Sequence, residues 1–220
     1  MCGSFTQPGD IRIIEGFRAR YGVEVSNDPG EAGQPIGQEQ KATPFRDVNV
    51  VYSGRDGTAR VAAMYWQLIH HWNQEFRSKY TAFKTRVESL GKRHNEPLLC
   101  RRRCIFPVSE FYETRKIGGR PVQPRESYGF SLKDGGLMAL GGIYSVWHNP
   151  EDEDDRRFSC SIITLEPTDI IAEVHNRMPF ILRDSDVKIW MDPEVTEFDN
   201  LMDLILPISS EDLIRSKPPV

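Results

Sequence analysis

The tightest constraint on this chain's fold is a succession of short apolar runs broken by turn residues. Residues 48–52 and 59–66 flank Ser53-Gly54-Arg55-Asp56-Gly57, whose Gly and Asp content predicts a hairpin. Further strands are expected at 104–108, 111–113, 128–132, 137–144, 158–165 and 180–182. Ile11, Ile14 and Phe17 follow helical spacing after Pro8-Gly9-Asp10, predicting a helix near 10–21, and shorter helices fit 168–173, 184–191 and 197–205. The Gly-, Pro- and Gln-rich stretch 28–44 reads as a loop, and 151–157 as an acidic surface loop. Neither regular strand–helix alternation nor a Gly-rich phosphate loop occurs, which argues against a nucleotide-binding fold. The expected class is α+β: a mainly antiparallel sheet or open barrel with a few short peripheral helices, forming one domain over 1–220.

At 220 residues, 39% apolar and 27% charged, the chain is long enough for a substantial core and reads as soluble. No apolar run approaches the ~20 residues that span a bilayer, and no signal-peptide pattern opens the chain, so the expected compartment is the cytoplasm. The four cysteines (Cys2, Cys100, Cys104 and Cys160) read as thiols rather than a disulfide framework. The spacing Cys100-x3-Cys104 near His94 has no second pair, and neither a metal site nor a cofactor is expected. The net charge of −4 conceals an uneven distribution: residues 77–125 carry 13 Lys/Arg against 4 Glu, whereas 126–220 carry 8 against 19 Asp/Glu. The basic middle, with Lys92-Arg93 and Arg101-Arg102-Arg103, suits local contact with a polyanion such as nucleic acid; pairing with the acidic tail is the other reading.

Three places carry residue types suited to chemistry. Cys2 follows Met1 directly, and removal of Met1 would leave a thiol and a free α-amine on one residue. These titrate near ~8.5 and ~7.7–8.0, so both have reactive forms near neutrality. Such a terminus can take an aldehyde through a Schiff base and then a thiazolidine ring, or attack an amide as an N-terminal nucleophile. Making the second bond intramolecular is worth about 7–11 kcal/mol in good geometry. Phe111-Tyr112-Glu113 sets a carboxylate among aromatics on an apolar strand, where lost solvation would raise its pKa. His175, within Glu173-Val174-His175-Asn176-Arg177-Met178-Pro179, is placed to shuttle a proton. In Lys84-Thr85-Arg86-Val87-Glu88-Ser89, strand period puts Arg86 and Glu88 on one face, as a carboxylate-supported phosphate contact requires.

Cys2-Gly3, Ser109-Glu110-Phe111-Tyr112-Glu113 and His175-Asn176-Arg177-Met178-Pro179 resemble, in order, the signature elements of the SRAP family, the SOS-response-associated peptidase or abasic-site processing proteins. Met64-Tyr65-Trp66 with Trp72, Lys84 to Ser89, and Leu140-Gly141-Gly142-Ile143-Tyr144 with Trp147 extend the likeness along most of the chain. The resemblance implies a DNA-damage sensor that recognises abasic sites in single-stranded DNA and joins them to Cys2 as a thiazolidine, with autopeptidase removal of Met1. It implies that Cys2, Glu113 and His175 carry the chemistry, and that Arg86, Lys84, Trp72 and Glu88 form the DNA-binding shell of a monomer. Ser4 stands where the family usually has Arg, and Lys84 where it has an asparagine. Alternatives of other classes are a cysteine amidohydrolase using Cys2, and a DNA-binding module that kept the fold without the activity.

Overall fold

A computed structural model describes residues 3–77, 81–116 and 125–217. Twelve strands and five short α-helices lie among the described residues. The first half contains β1 (Ser4–Gln7), α1 (Asp10–Gly16), β2 (Gln40–Ala42), β3 (Asp47–Ser53), β4 (Ala59–Tyr65), β5 (Lys84–Arg86) and α2 (Glu96–Arg101). There follow β6 (Arg103–Val108), β7 (Glu110–Lys116), β8 (Arg125–Leu132), β9 (Met138–Asn149) and β10 (Asp152–Leu165). The chain closes with α3 (Asp169–Ala172), β11 (Met178–Pro179), α4 (Val187–Met191), α5 (Phe198–Leu204) and β12 (Leu213–Ser216). The class is α+β with mainly antiparallel sheets, as the sequence leads one to expect.

Five strands form a barrel in the order β10-β4-β3-β6-β9, and β9 pairs back onto β10. The ring is closed by a single parallel pair, Ser159 with Tyr65. The β3–β4 hairpin forms where its turn residues predict it. Gly57 takes φ 75°, a left-handed conformation that costs glycine little, while the Asp56 carboxylate accepts from Thr58 N at 3.1 Å. On β9, Gly141 and Gly142 let two aromatics reach the backbone. A Cβ at these positions would lie 2.4 Å from the Phe180 ring and 2.5 Å from the Phe106 ring.

A second sheet, ordered β12-β8-β7-β1-β2 and antiparallel throughout, packs on the barrel. Phe5 of β1 is fully buried, with its ring 4.8 Å from that of Trp66 and 6.2 Å from that of Phe106. Gln7, also fully buried, joins the sheets through its amide. Its Nε2 donates to the carbonyls of Asn49 (2.7 Å) and Pro107 (3.2 Å), while its Oε1 accepts from Asn49 N at 2.8 Å.

Several boundaries differ from expectation. The acidic segment 151–157 is largely the start of β10, paired with β9 across a register shift between Asp152 and Arg156; its side chains stay mostly exposed, as a surface ribbon requires. Within 28–44, Gln40–Ala42 pairs with β1. Of 180–182, Ile181 makes only an isolated bridge to Leu140, the ladder being formed by Met178–Pro179. Helix α2 was not expected; it begins at Glu96-Pro97 and buries Leu98 and Leu99. Among the described residues, no helix is long and apolar enough to cross a membrane.

The Gln7 clamp yields a stability prediction. Gln7→Leu has nearly the same volume but strands the N–H and carbonyl of Asn49 and the carbonyl of Pro107. A loss of roughly 2–4 kcal/mol in urea unfolding is expected.

Candidate active site and adjoining groove

The site grows from the pairing of β1 with β7. Ser4 lies opposite Tyr112 and Phe5 opposite Phe111. On its other edge, β1 pairs Phe5 with Ala42. Extending both registers to position 3 sets it across from Glu113 on one edge and Pro44 on the other. Cys2 lies outside the described residues.

Alternation along β7 puts Glu113 on the face of Phe111, which is wholly in the core, and leaves the Glu113 side only 1% exposed. Burial pushes the Glu113 carboxyl above the ordinary glutamate range, with the positive charge of Lys84 opposing the shift. Lys84 opens β5, which lies parallel to β10 with Lys84 beside Ile162 and Arg86 beside Thr164. The hydroxyls of Thr85 and Ser161, 2.9 Å apart, hold the two strands together. Lys84 Nζ is buried and sits 4.7 Å from the centre of the Phe83 ring.

Lys84, Arg86, Glu113, Thr164, Arg177 and Met178 line one cavity of about 210 Å³, together with Thr81. The Arg177 guanidinium donates to both Glu88 oxygens at 2.6 and 3.0 Å and to the Thr164 carbonyl at 2.6 Å. Its Nε, also buried, has no hydrogen-bond partner among the described residues. His175 stands directly behind Arg177: its Nδ1 lies 3.1 Å from Arg177 N and 3.2 Å from the Arg177 carbonyl oxygen, so it accepts from the first when the ring proton is on Nε2 and donates to the second when the proton is on Nδ1.

Thr81, Lys84 and Arg86 also line a groove of about 960 Å³ that carries His70, Trp72 and His94. Trp72 is 53% exposed and stacks on His70, ring centres 4.1 Å apart and planes 9° apart. The loop that presents it is pinned by Trp147 Nε1 donating to the Asn73 carbonyl at 2.7 Å. Burial, with His94 and His71 nearby, lowers the His70 pKa to about 4, so the stacked imidazole is neutral at pH 7.

Of the residues singled out in the sequence, Glu113, Lys84 and Arg86 share the small cavity, and Lys84, Arg86 and Trp72 share the groove. The expected Arg86–Glu88 partnership is corrected. The chain leaves β5 at Arg86 and turns through a 3₁₀ segment, Val87–Ser89, so strand period no longer applies and Glu88 grips Arg177 instead. The basic run is corrected in part. Arg103 is buried and donates to the carbonyls of Leu99, Cys100, Trp190 and Asp192, leaving it no surface to offer a polyanion. Sequence reasoning assigned no role to Arg177, although it lies in the same element as His175, nor to the histidines beside Trp72.

Residues 1–217 match the family model described as SOS response associated peptidase (SRAP). The chain is 31% identical over 217 residues to abasic site processing protein YoqW of Bacillus subtilis (strain 168), covering 97% of this chain and 90% of that protein. To abasic site processing protein HMCES of Gallus gallus it is 26% identical over 178 residues, covering 71% of this chain and 53% of that one. Two X-ray structures share the fold. A protein from Bacteroides thetaiotaomicron has a TM-score of 0.76 at 21% identity, covering 97% of this chain and 90% of that one. One from Bordetella bronchiseptica has a TM-score of 0.77 at 17% identity, each chain being wholly covered.

The buried carboxyl predicts a pH-dependent stability difference. With its folded pKa raised, Glu113 supports folding below the ordinary glutamate range and loses that contribution as pH rises. Glu113→Gln is therefore expected to melt above the wild type at pH 8 and to converge on it near pH 4. A gap that widens on acidification would contradict the assignment.

Proposed function

The chain belongs to the SOS response associated peptidase (SRAP) family, and from that membership we propose that it processes abasic sites in single-stranded DNA by covalent capture at Cys2. The observation that carries the reading is the register of β1, which runs the chain's first strand past the buried Glu113 and the cavity it shares with Lys84 and Arg86.

In this scheme Met1 is removed first, by the protein itself or by an aminopeptidase. The abasic deoxyribose opens when O4′ gains a proton and the C1′ hydroxyl loses one, giving an aldehyde; His175 Nε2–H is the proposed donor. The Cys2 α-amine attacks C1′, and water leaves to form an imine. The Cys2 sulfur then adds to C1′ as the imine nitrogen takes up a proton. The net change is aldehyde plus aminothiol to thiazolidine plus one water. A carboxyl whose pKa is raised can give a proton to the departing hydroxyl and later accept one from the thiol, which is the role proposed for Glu113.

Binding is proposed to rest on a few cations and one aromatic. Arg86 is exposed at the groove, Lys84 stands where groove and cavity meet, and Trp72 offers a face on which a base can stack. Glu88 acts indirectly by orienting Arg177, whose Nε–H remains a donor for a sugar or phosphate oxygen.

Two measurements test this. Wild-type protein incubated with an oligonucleotide bearing one abasic site is expected to give a heat-stable shifted band on a denaturing gel. Cys2→Ser, which keeps the amine but lacks the ring-closing thiol, is expected to give none; a persistent adduct would sink the assignment. Separately, Arg86→Ala should weaken binding and flatten the dependence of log affinity on log salt by about 0.7, the contribution of one phosphate contact on a single strand. An unchanged slope would place the binding surface elsewhere.

A further inference from the structure

Phe45 is the only non-glycine among the described residues with a positive φ, 67°. For a bulky side chain this backbone conformation is a true outlier and persists only where neighbours over-determine it. Trp66 does so: Phe45 N donates to the Trp66 carbonyl at 3.1 Å, and Trp66 N donates to the Arg46 carbonyl at 2.9 Å. The held conformation leaves the ring 47% exposed, touching Phe83 edge-on with centres 5.9 Å apart. Phe83 in turn lies beneath the Lys84 ammonium, at the junction of cavity and groove. The β1–β2 register places this turn along the opposite edge of β1 from Glu113. The exposed cation Arg46 follows directly.

An exposed aromatic in a strained turn, with the cation Arg46 adjoining it and Lys84 beyond Phe83, serves no evident folding purpose. We propose that Phe45 is a stacking platform for an unpaired nucleobase next to the captured nucleotide, with Arg46 meeting the adjoining phosphate. Trp72 lies in the groove wall, so a platform at Phe45 would give the strand a second stacking surface. The occupant is a base because its flat π-face suits a lone exposed ring, and a cation one residue away, Arg46, suits the backbone that carries it. This rests on the single-stranded DNA reading above, and the test separates the two.

Anisotropy titrations would compare an undamaged single-stranded oligonucleotide with one of equal length made of base-free tetrahydrofuran units. Phe45→Ala and Phe45→Gly are both expected to lose about 5- to 100-fold in affinity for the strand with bases and nothing for the base-free strand. Phe45→Tyr should retain wild-type affinity. The glycine variant keeps the positive φ without strain, so normal binding by Phe45→Gly would mean that turn shape alone matters and would overturn the proposal. Equal losses on both strands, or none, would overturn it as well. Crosslinking at an aldehydic abasic site is scored in parallel. Crosslinking by a wild type indifferent to Phe45→Ala refutes the platform alone. Base-dependent loss without any crosslinking refutes the capture reading alone. A wild type that binds neither strand refutes both.

Discussion

Everything near the site depends on how β1 is held. A terminal strand of four residues would ordinarily fray, because ordering each residue costs about 1–2 kcal/mol of backbone entropy and few bonds repay it. Here β1 is paired on both edges, its Phe5 is fully buried among Trp66 and Phe106, and Gln7 is bonded to two barrel strands. The strand therefore joins the two sheets instead of decorating one of them. Its register settles what stands across from position 3: Glu113 on one edge, Pro44 and then Phe45 on the other. Slipping β1 by one residue would turn Phe5 out of the core and Gln7 away from Asn49, so the core itself guards the geometry of the site.

The polar side of the site is built at the end of β10, where β5 and β11 meet it. Arg177 is the organising cation there. Its bidentate pair with Glu88 adds little stability, since the Glu88 side chain is 56% exposed and solvent screens the interaction. What the pair does is fix the direction of a mostly buried guanidinium, helped by the Thr164 carbonyl. The backbone of Arg177 also fixes the His175 ring, since its N and O both lie within hydrogen-bond distance of Nδ1. Glu88 and His175, remote in sequence, are thus held by one shared arginine.

Much of the fold was legible because strands bounded by Gly-, Asp- and Pro-rich turns announce themselves locally, as in the β3–β4 hairpin. What was not legible came from tertiary contacts. Nothing in Lys84-Thr85-Arg86 reveals that it lies parallel to β10, and the switch to a 3₁₀ turn at Val87 defeated the alternation that had paired Arg86 with Glu88. Helix α2 is only six residues long, too short to show an apolar period. Glu113 was identifiable because Phe111, two residues before it, marks the core face. Phe45 was not, because a positive φ at a phenylalanine contradicts the residue preference from which conformation is ordinarily inferred.

Charge counting shows the same limit and bears on mechanism. The basic segment looks in sequence like a broad nucleic-acid surface, but Arg103 is spent on backbone carbonyls inside the fold. Among the described residues, the Lys and Arg side chains lining the groove are Arg77, Lys84 and Arg86. On a single strand, three phosphate contacts release about two counterions, a weak grip with a shallow salt dependence. Even with Arg46 and Arg177, the cations proposed to meet the strand would not by electrostatics alone keep the protein on a lesion at physiological salt. On the proposed reading they do not need to. The strand is sampled reversibly through stacking and a few phosphate contacts, and only an aldehyde converts the encounter into a bond. Discrimination against intact DNA then lies in the chemistry, because an undamaged sugar offers no carbonyl to the terminal amine. A tighter electrostatic grip would hold the protein on undamaged strands without improving that choice.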